Sequence, residues 1–239
     1  SPGQVHIRYG ATLATVHVEM NQAHLAEIIA AIDPKIVLFQ EESGLEKLRE
    51  AAPGDWHALG DWSEGGGSTG FFGEIEALSD VDDIPSCASK DDHGVIFYTS
   101  GTVAKPKGVI QTHGTAFYNY DATADYLELK PGDRVFDCRS YSWLSAQHMS
   151  LGAPLVAGAT TIMARHFSQS RYFDWLRDHE INIGFVVPTI VNMLTSRPHS
   201  VTGADLPHLR FLTASSAPLL DEQWKQFEDL YGITLAQSC

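Results

Sequence analysis

Cysteine is scarce in this chain. The three present, Cys87, Cys138 and Cys239, are odd in number, far apart and form no C-x-x-C pair. That spacing argues against a disulfide framework or a zinc site and suits a reducing cytosol. Basic residues are also few, 16 Lys and Arg against 30 Asp and Glu, for a formal net charge of -14. So acidic a surface repels nucleic acid and anionic membrane, so an anionic ligand must be held by a local pocket rather than by the overall field. No apolar run approaches a membrane span, and Ser1–Tyr9 has no signal-peptide character. The expectation is a cytoplasmic protein without a membrane span and without nucleic acid as a partner. Internal repeats and coiled-coil heptads are absent as well. What is present is ordinary globular composition, 44% hydrophobic and 19% charged, in a chain long enough for one large domain or two subdomains.

Two kinds of segment alternate. Short β-branched runs, Lys35–Phe39, Val95–Tyr98, Thr160–Met163, Ile183–Val187 and Arg210–Thr213, read as buried strands, and Arg134–Asp137 as a further strand. Helical spacing lies between them. Asn21 is a good N-cap for a helix that lines up Leu25, Ile28, Ile29 and Ile32. Ser168 is expected to cap a helix carrying Tyr172, Phe173, Trp175 and Leu176, and Asp221 to open another with Trp224, Phe227 and Leu230. Pro188 reads as a first-turn helix proline. The alternation predicts an α/β fold of mainly parallel sheets with flanking helices, and a ligand site at the edge where the strands end. The glycine-rich stretch at Asp61–Gly73 and the acidic one at Asp80–Asp92 place a seam between Gly60 and Asp92. This divides the chain into an N-terminal portion, 1–84, and a second subdomain, 85–239.

The segment richest in chemistry is Tyr98–Thr112, Y-T-S-G-T-V-A-K-P-K-G-V-I-Q-T. A strong strand runs into a loop with three hydroxyls, Thr99, Ser100 and Thr102. Gly101 and Gly108 free the backbone, and Lys105 and Lys107 flank Pro106. Phosphates require this combination of inward N–H groups, hydroxyl donors and a nearby cation. It is no Walker loop, because Lys107 precedes Gly108 and Val109 follows it. Composition alone leaves two readings, a phosphate loop or a polar surface turn after a strand.

Other signals carry less. Gly66-Gly67-Ser68-Thr69-Gly70 satisfies G-x-S-x-G but lacks the buried strand that a nucleophile elbow needs in front of it. The eleven histidines are scattered singly with no H-E-x-x-H, and Asp80, Asp82 and Asp83 read most simply as a solvated loop.

The 99–109 stretch resembles the signature loop of the adenylate-forming superfamily: acyl- and aryl-CoA synthetases, luciferases and nonribosomal adenylation domains. Its usual form is [YF]-T-S-G-T-T-G-x-P-K-G-V. Thr99, Ser100, Gly101, Thr102, Pro106, Lys107, Gly108 and Val109 match, whereas Val103 and Ala104 replace a Thr and a Gly. Leu209–Leu219 is similar to the family's L-R-x-x-x-x-G-G-A-P-L element, with Ser215 and Ser216 in place of the glycines and Ala217 and Pro218 matching. Tyr231–Cys239 is similar to the approach to Y-G-x-T-E. Where relatives carry Pro-x-x-His after the strand Arg134–Asp137, this chain has Ser140-Tyr141-Ser142-Trp143. Trp143 there either walls an acyl pocket or is a core aromatic.

The resemblance, closest to acid–CoA ligases, implies part of a large N-terminal domain. It implies activation of a small carboxylic acid by ATP to an acyl-adenylate, followed by thioester formation with CoA. A carrier protein as acceptor and a non-catalytic nucleotide-binding module are the alternatives. By resemblance Thr99, Ser100, Gly101, Thr102, Lys105, Lys107 and Gly108 hold the ATP phosphates with Mg²⁺ near Thr102. Ser215, Ser216, Ala217 and Pro218 border adenine and the carboxylate, and Trp143 borders the acyl group. The catalytic Lys and Glu of the family are expected beyond Cys239. The chain alone is therefore expected to be inactive and to self-associate through exposed sheet edges.

Overall fold

The computed structural model describes residues 10–17, 20–38, 45–59, 87–99 and 107–237. The chain divides into two compact units, Ser1–Ala88 with Ile96–Ile110, and Ser89–Val95 with Gln111–Cys239. The boundary expected at 84 and 85 lies outside the described residues.

In the first unit, strand β1 (Leu13–Thr15) precedes helix α1 (Gln22–Ile32), whose N-cap Asn21 accepts from the His24 N–H at 2.8 Å. Asp33 ends the helix in the left-handed region and donates its N–H to the Ile29 carbonyl at 3.0 Å. Strand β2 (Ile36–Leu38), helix α2 (Leu45–Ala51) and strand β3 (His57–Leu59) follow, with β2 and β3 paired in parallel. The expectation of a buried strand here needs correction, since Ile36 and Leu38 are exposed among the described residues. Only Val37 turns inward, onto a small cluster of Ala26, Ile29, Leu48, Ala52 and Trp56. Strands β4 (His93–Thr99) and β5 (Lys107–Thr112) are neighbours in a three-stranded sheet with β1.

The second unit is built on a five-stranded sheet. After helix α3 (His113–Tyr126) come β6 (Arg134–Asp137) and α4, which begins as Leu144–Ala146, passes through a π segment at Gln147–Gly152 and closes as Ala153–Ala157. Then come β7 (Thr160–Met163), α5 (Tyr172–Asp178), β8 (Ile183–Val186), α6 (Pro188–Ser196), β9 (Phe211–Ala214), α7 (Asp221–Tyr231) and β10 (Leu235–Gln237). The strand order is β10-β9-β8-β6-β7, every pair parallel.

Side chains alternate between faces with the period of two that a pleated strand imposes. Val135, Ile183 and Phe185 join Leu127 and Met149 on one side. Phe136, Val186, Leu212 and Ala214 join Tyr172, Leu176, Ile190, Leu194, Phe227 and Tyr231 on the other. β8, the central strand, is buried at all four positions, as expected of a strand covered on both faces. Each such Leu, Ile or Phe contributes about 1.5–3 kcal/mol. Gly184 makes room for the neighbouring strand's side chain: a Cβ there would lie 2.5 Å from Leu212 Cδ2, and the buried leucine would have to shift. A Cβ at Gly152 would lie 2.2 Å from the Tyr120 ring, so this glycine lets α4 approach α3.

Ser168 does not cap α5. Its carbonyl accepts from Arg171 N–H at 3.2 Å, a turn occupies the intervening residues, and the helix starts at Tyr172. Pro188 does occupy the first turn of α6, and Asp221 does open α7, where Asp221 and Glu222 place negative charge at the helix N-terminus.

The strand order fixes where a ligand would sit. From β6 the chain goes to β7 on one side, then returns to β8 on the other. Such a reversal opens a crevice outside the carboxyl ends of β6 and β8.

Candidate functional site

At this edge β6 ends in Asp137, followed by Cys138 and Arg139, all buried. The Asp137 and Arg139 side chains are 0% and 1% exposed. Arg139 Nη2 donates to Asp137 Oδ2 at 2.8 Å, and Nε contacts Oδ1 at 3.0 Å and Oδ2 at 3.1 Å. The Arg139 N–H adds a bond to Oδ1 at 2.8 Å. Two charges this deep are tolerable only when paired and saturated with hydrogen bonds. The remaining nitrogen, Nη1, donates to Ser215 Oγ at 2.6 Å and to Ser145 Oγ at 3.3 Å. The guanidinium carbon lies 5.1 Å from the centroid of the Phe185 ring. One cation thus joins the ends of β6 and β9 to the first turn of α4, above a side chain of β8.

The π segment of α4 completes the cluster. Ser150 donates to Asp137 through a short hydrogen bond, and its hydroxyl also contacts the Ala146 carbonyl at 2.7 Å and Tyr141 Oη at 3.3 Å. The Ser150 carbonyl accepts from Thr161 Oγ1 at 2.7 Å. Inserting one residue into a helix turn re-aims its side chains, and π segments recur at functional sites. Burial, reinforced by the Asp137 charge, pushes the Tyr141 hydroxyl well above its ordinary range and the Cys138 thiol up to about 12. Both stay protonated at neutral pH, so Tyr141 can donate and Cys138 is no nucleophile. On the same helix His148 Nε2 meets Gln111 Oε1 at 3.0 Å, and burial lowers the imidazole's pKa.

The residues singled out in the sequence fall in three places. Ser215 is 1% exposed at the end of β9, and its N–H donates to the Val186 carbonyl at 3.2 Å. Ser216, Ala217 and Pro218 are exposed on the turn that follows, before buried Leu219. Ser216 has φ 74°, the left-handed region that favours glycine. Trp143 stands at the N-cap of α4 and is 40% exposed, which is not the burial of a core aromatic. The loop expected to bind phosphate is framed by Thr99, the last residue of β4, and Lys107, the first of β5; Ser100, Gly101, Thr102 and Lys105 lie outside the described residues. Gly108 takes no left-handed backbone. A Cβ there would lie 3.0 Å from Ile96 Cγ2 and 3.3 Å from Tyr98 Cε1, so the glycine also eases the close approach of β4 and β5. Among the described residues no three His, Cys, Asp or Glu side chains are grouped to hold a metal ion, and no helix is long and apolar enough to cross a membrane.

The Asp137–Arg139–Ser150 cluster had no part in the sequence reading. Its signal was an acid and a base two residues apart at the end of an apolar strand, where neither can reach water without leaving the sheet.

The model of the AMP-binding enzyme family matches residues 6–238. The acetyl-coenzyme A synthetase of Xanthobacter autotrophicus is 28% identical over 169 residues, covering 68% of this chain and 26% of that protein. The enzyme of the same name from Salmonella typhi is 27% identical over 173 residues, with 70% and 26% covered. ATP-bound MatB from Rhodopseudomonas palustris has a similar structure, with a TM-score of 0.84 at 21% identity over 99% of this chain and 47% of its own. The anthranilate CoA ligase AuaEII in complex with anthranoyl-AMP gives 0.79 at 18% identity over 97% and 46%. The chain therefore spans about a quarter of these curated relatives and just under half of these solved ones. At such identities the structural likeness speaks to the fold.

Proposed function

This chain belongs to the AMP-binding enzyme family, and we propose that the complete protein is an AMP-forming acid–CoA ligase. A substrate carboxylate oxygen attacks the α-phosphorus of ATP, the bond to the β-phosphate breaks, and pyrophosphate leaves. The CoA sulfur then attacks the acyl carbonyl, the thiol proton is lost, and AMP departs. The observation that carries this reading is the family match across 6–238 together with its signature loop between β4 and β5.

In the proposal Thr99, Ser100, Gly101, Thr102, Lys105, Lys107 and Gly108 hold the ATP phosphates through hydroxyls, backbone N–H groups and ammonium charge. Mg²⁺ accompanies the nucleotide with Thr102 beside it; when bound it neutralises phosphate charge. Residues 215–218 border adenine and the carboxylate. Their support is the position of the turn at the carboxyl edge of a parallel sheet, where such ligands bind. Trp143 borders the acyl group, supported by its exposure at the start of α4. The chemistry rests on positioning and charge neutralisation rather than on a nucleophile of the protein, in keeping with a buried thiol that stays protonated. A small carboxylic acid as substrate and CoA as acceptor are favoured by relatives named for CoA ligation. A cytoplasmic location is favoured by the scarcity of cysteine.

The test is to incubate the complete protein with ATP, Mg²⁺, CoA and a panel of carboxylic acids, following nucleotide and thioester products. Acid-dependent AMP with acyl-CoA is the expected result. ADP as product would overturn the reading, and acyl transfer only to a carrier-protein thiol would overturn the acceptor.

A further inference from the structure

We infer that Arg139 is a positioning residue for the nucleotide and acid site, acting through Ser215 to set the geometry of the 215–218 turn. The inference rests on the reading above that this turn borders the nucleotide and the carboxylate. It goes further by assigning a role to a side chain that lies outside the signature motifs.

An arginine that served only to neutralise Asp137 would need one edge of its guanidinium. Here Nε and Nη2 face Asp137, and Nη1 reaches a second partner 76 residues away, Ser215 Oγ at 2.6 Å. The bond is charge-assisted, and both ends are buried. The guanidinium cannot swing to follow its ligands, because the carboxylate holds one edge and the Phe185 ring lies beneath it at 5.1 Å. Its anchor is itself anchored: Asp137 also accepts from Ser150 and from the Arg139 N–H.

What this holds in place is a strained turn. Ser215 is pinned at its N–H by the Val186 carbonyl and at its hydroxyl by Arg139. The next residue, Ser216, sits at φ 74°, and Leu219, 5% exposed, anchors the far side. A non-glycine residue keeps that conformation only when its surroundings over-determine it. Between those anchors Ser216, Ala217 and Pro218 face solvent, free to meet a ligand. Nη1 also touches Ser145 Oγ, so the start of α4 and the turn after β9 share one reference point. Loss of that reference displaces groups that need placement to a few tenths of an ångström.

The test uses the complete protein and α,β-methylene-ATP, in which the bond that would break is replaced. Binding is titrated calorimetrically and thermal midpoints are read alongside. Ser215→Ala keeps the Asp137–Arg139 pair and is expected to retain the fold while weakening binding about tenfold. Ser215→Thr, which keeps the hydroxyl, should restore it. Arg139→Lys should weaken binding at least as much, and the two changes together should be no worse than Arg139→Lys alone, because both break one link. The inference is overturned if Ser215→Ala binds like the wild type, or if the two effects multiply. If Arg139→Lys fails to fold, the Ala and Thr variants decide alone. A wild-type protein that does not bind the analogue overturns the proposed function itself; binding by the wild type with no change in Ser215→Ala overturns only this inference.

Discussion

Asp137→Asn removes one charge and almost no volume, so its effect reports on the buried ion pair together with the hydrogen bonds the carboxylate accepts. In the native site the carboxylate receives Arg139 Nε and Nη2 at 2.8–3.1 Å, the Arg139 N–H at 2.8 Å and Ser150 Oγ. Neither charged side chain is more than 1% exposed, so water cannot take over when the carboxylate is neutralised. The amide also presents an NH₂ where an acceptor stood, leaving one set of guanidinium donors facing a donor. Breaking one partner of a buried pair costs about 3–5 kcal/mol, against less than about 1 kcal/mol for an exposed pair. In urea, with a slope of about 1–3 kcal/mol/M, the larger loss moves the midpoint down by about 1 M or more. Unfolding would be followed by far-UV circular dichroism on wild type, Asp137→Asn, and Asp137→Val combined with Arg139→Met. The double variant should recover much of the loss, because it removes both charges together. A loss below about 1 kcal/mol for Asp137→Asn in a folded protein would refute the burial and saturation of this pair.

Three further outcomes follow from the same edge of the sheet. Ser216→Gly relieves a left-handed backbone and should stabilise the protein by about 0.5–1 kcal/mol in the same urea experiment; destabilisation would mean that the Ser216 side chain holds something there. The Cys138 thiol is raised from 9.0 to about 12, so above pH 9 the unfolded chain gives up a proton that the folded chain keeps. Stability should therefore fall as pH rises from about 9 to about 12, and Cys138→Ala should flatten that fall; identical pH profiles would contradict the buried neutral thiol. Trp143→Ala should change which acids the complete protein accepts while leaving ATP affinity near the wild-type value. Unchanged acid preference with a lowered thermal midpoint would assign the tryptophan to packing instead.

Most strands of the parallel sheet announce themselves chemically, but β7, read as buried like the others, lies at the sheet edge and leaves Thr160 and Met163 exposed. Ile183–Val187 is an apolar run that only a doubly covered strand can accommodate, its last residue serving instead as the N-cap of α6, and Arg134–Asp137 coincides with β6. Asn21 was readable as a cap because its side chain competes locally for a backbone N–H, a property that needs no tertiary context. Ser168 misled for the complementary reason: it has the same local chemistry, but a turn leading into Tyr172 intervenes before the helix. The β2 run looked buried by composition, yet burial depends on what packs over a strand, and a two-stranded sheet covers only Val37. The site divides in the same way. The loop expected to bind phosphate stands out through a local pattern of hydroxyls, glycines and lysines. Arg139 does not, because its meaning lies in Ser215, whose position only the strand order brings to the same edge.

Isotope exchange from labelled pyrophosphate into ATP reports the first half-reaction alone, without CoA and without product release. Run on the complete protein with and without acid, it should show label entering ATP only when a carboxylic acid is present. In Lys107→Ala the exchange should fall by about 1.5–3 kcal/mol of transition-state stabilisation, the worth of one charge-assisted hydrogen bond. Exchange that is indifferent to acid, or that survives Lys107→Ala unchanged in a folded protein, would contradict acid activation at the loop between β4 and β5.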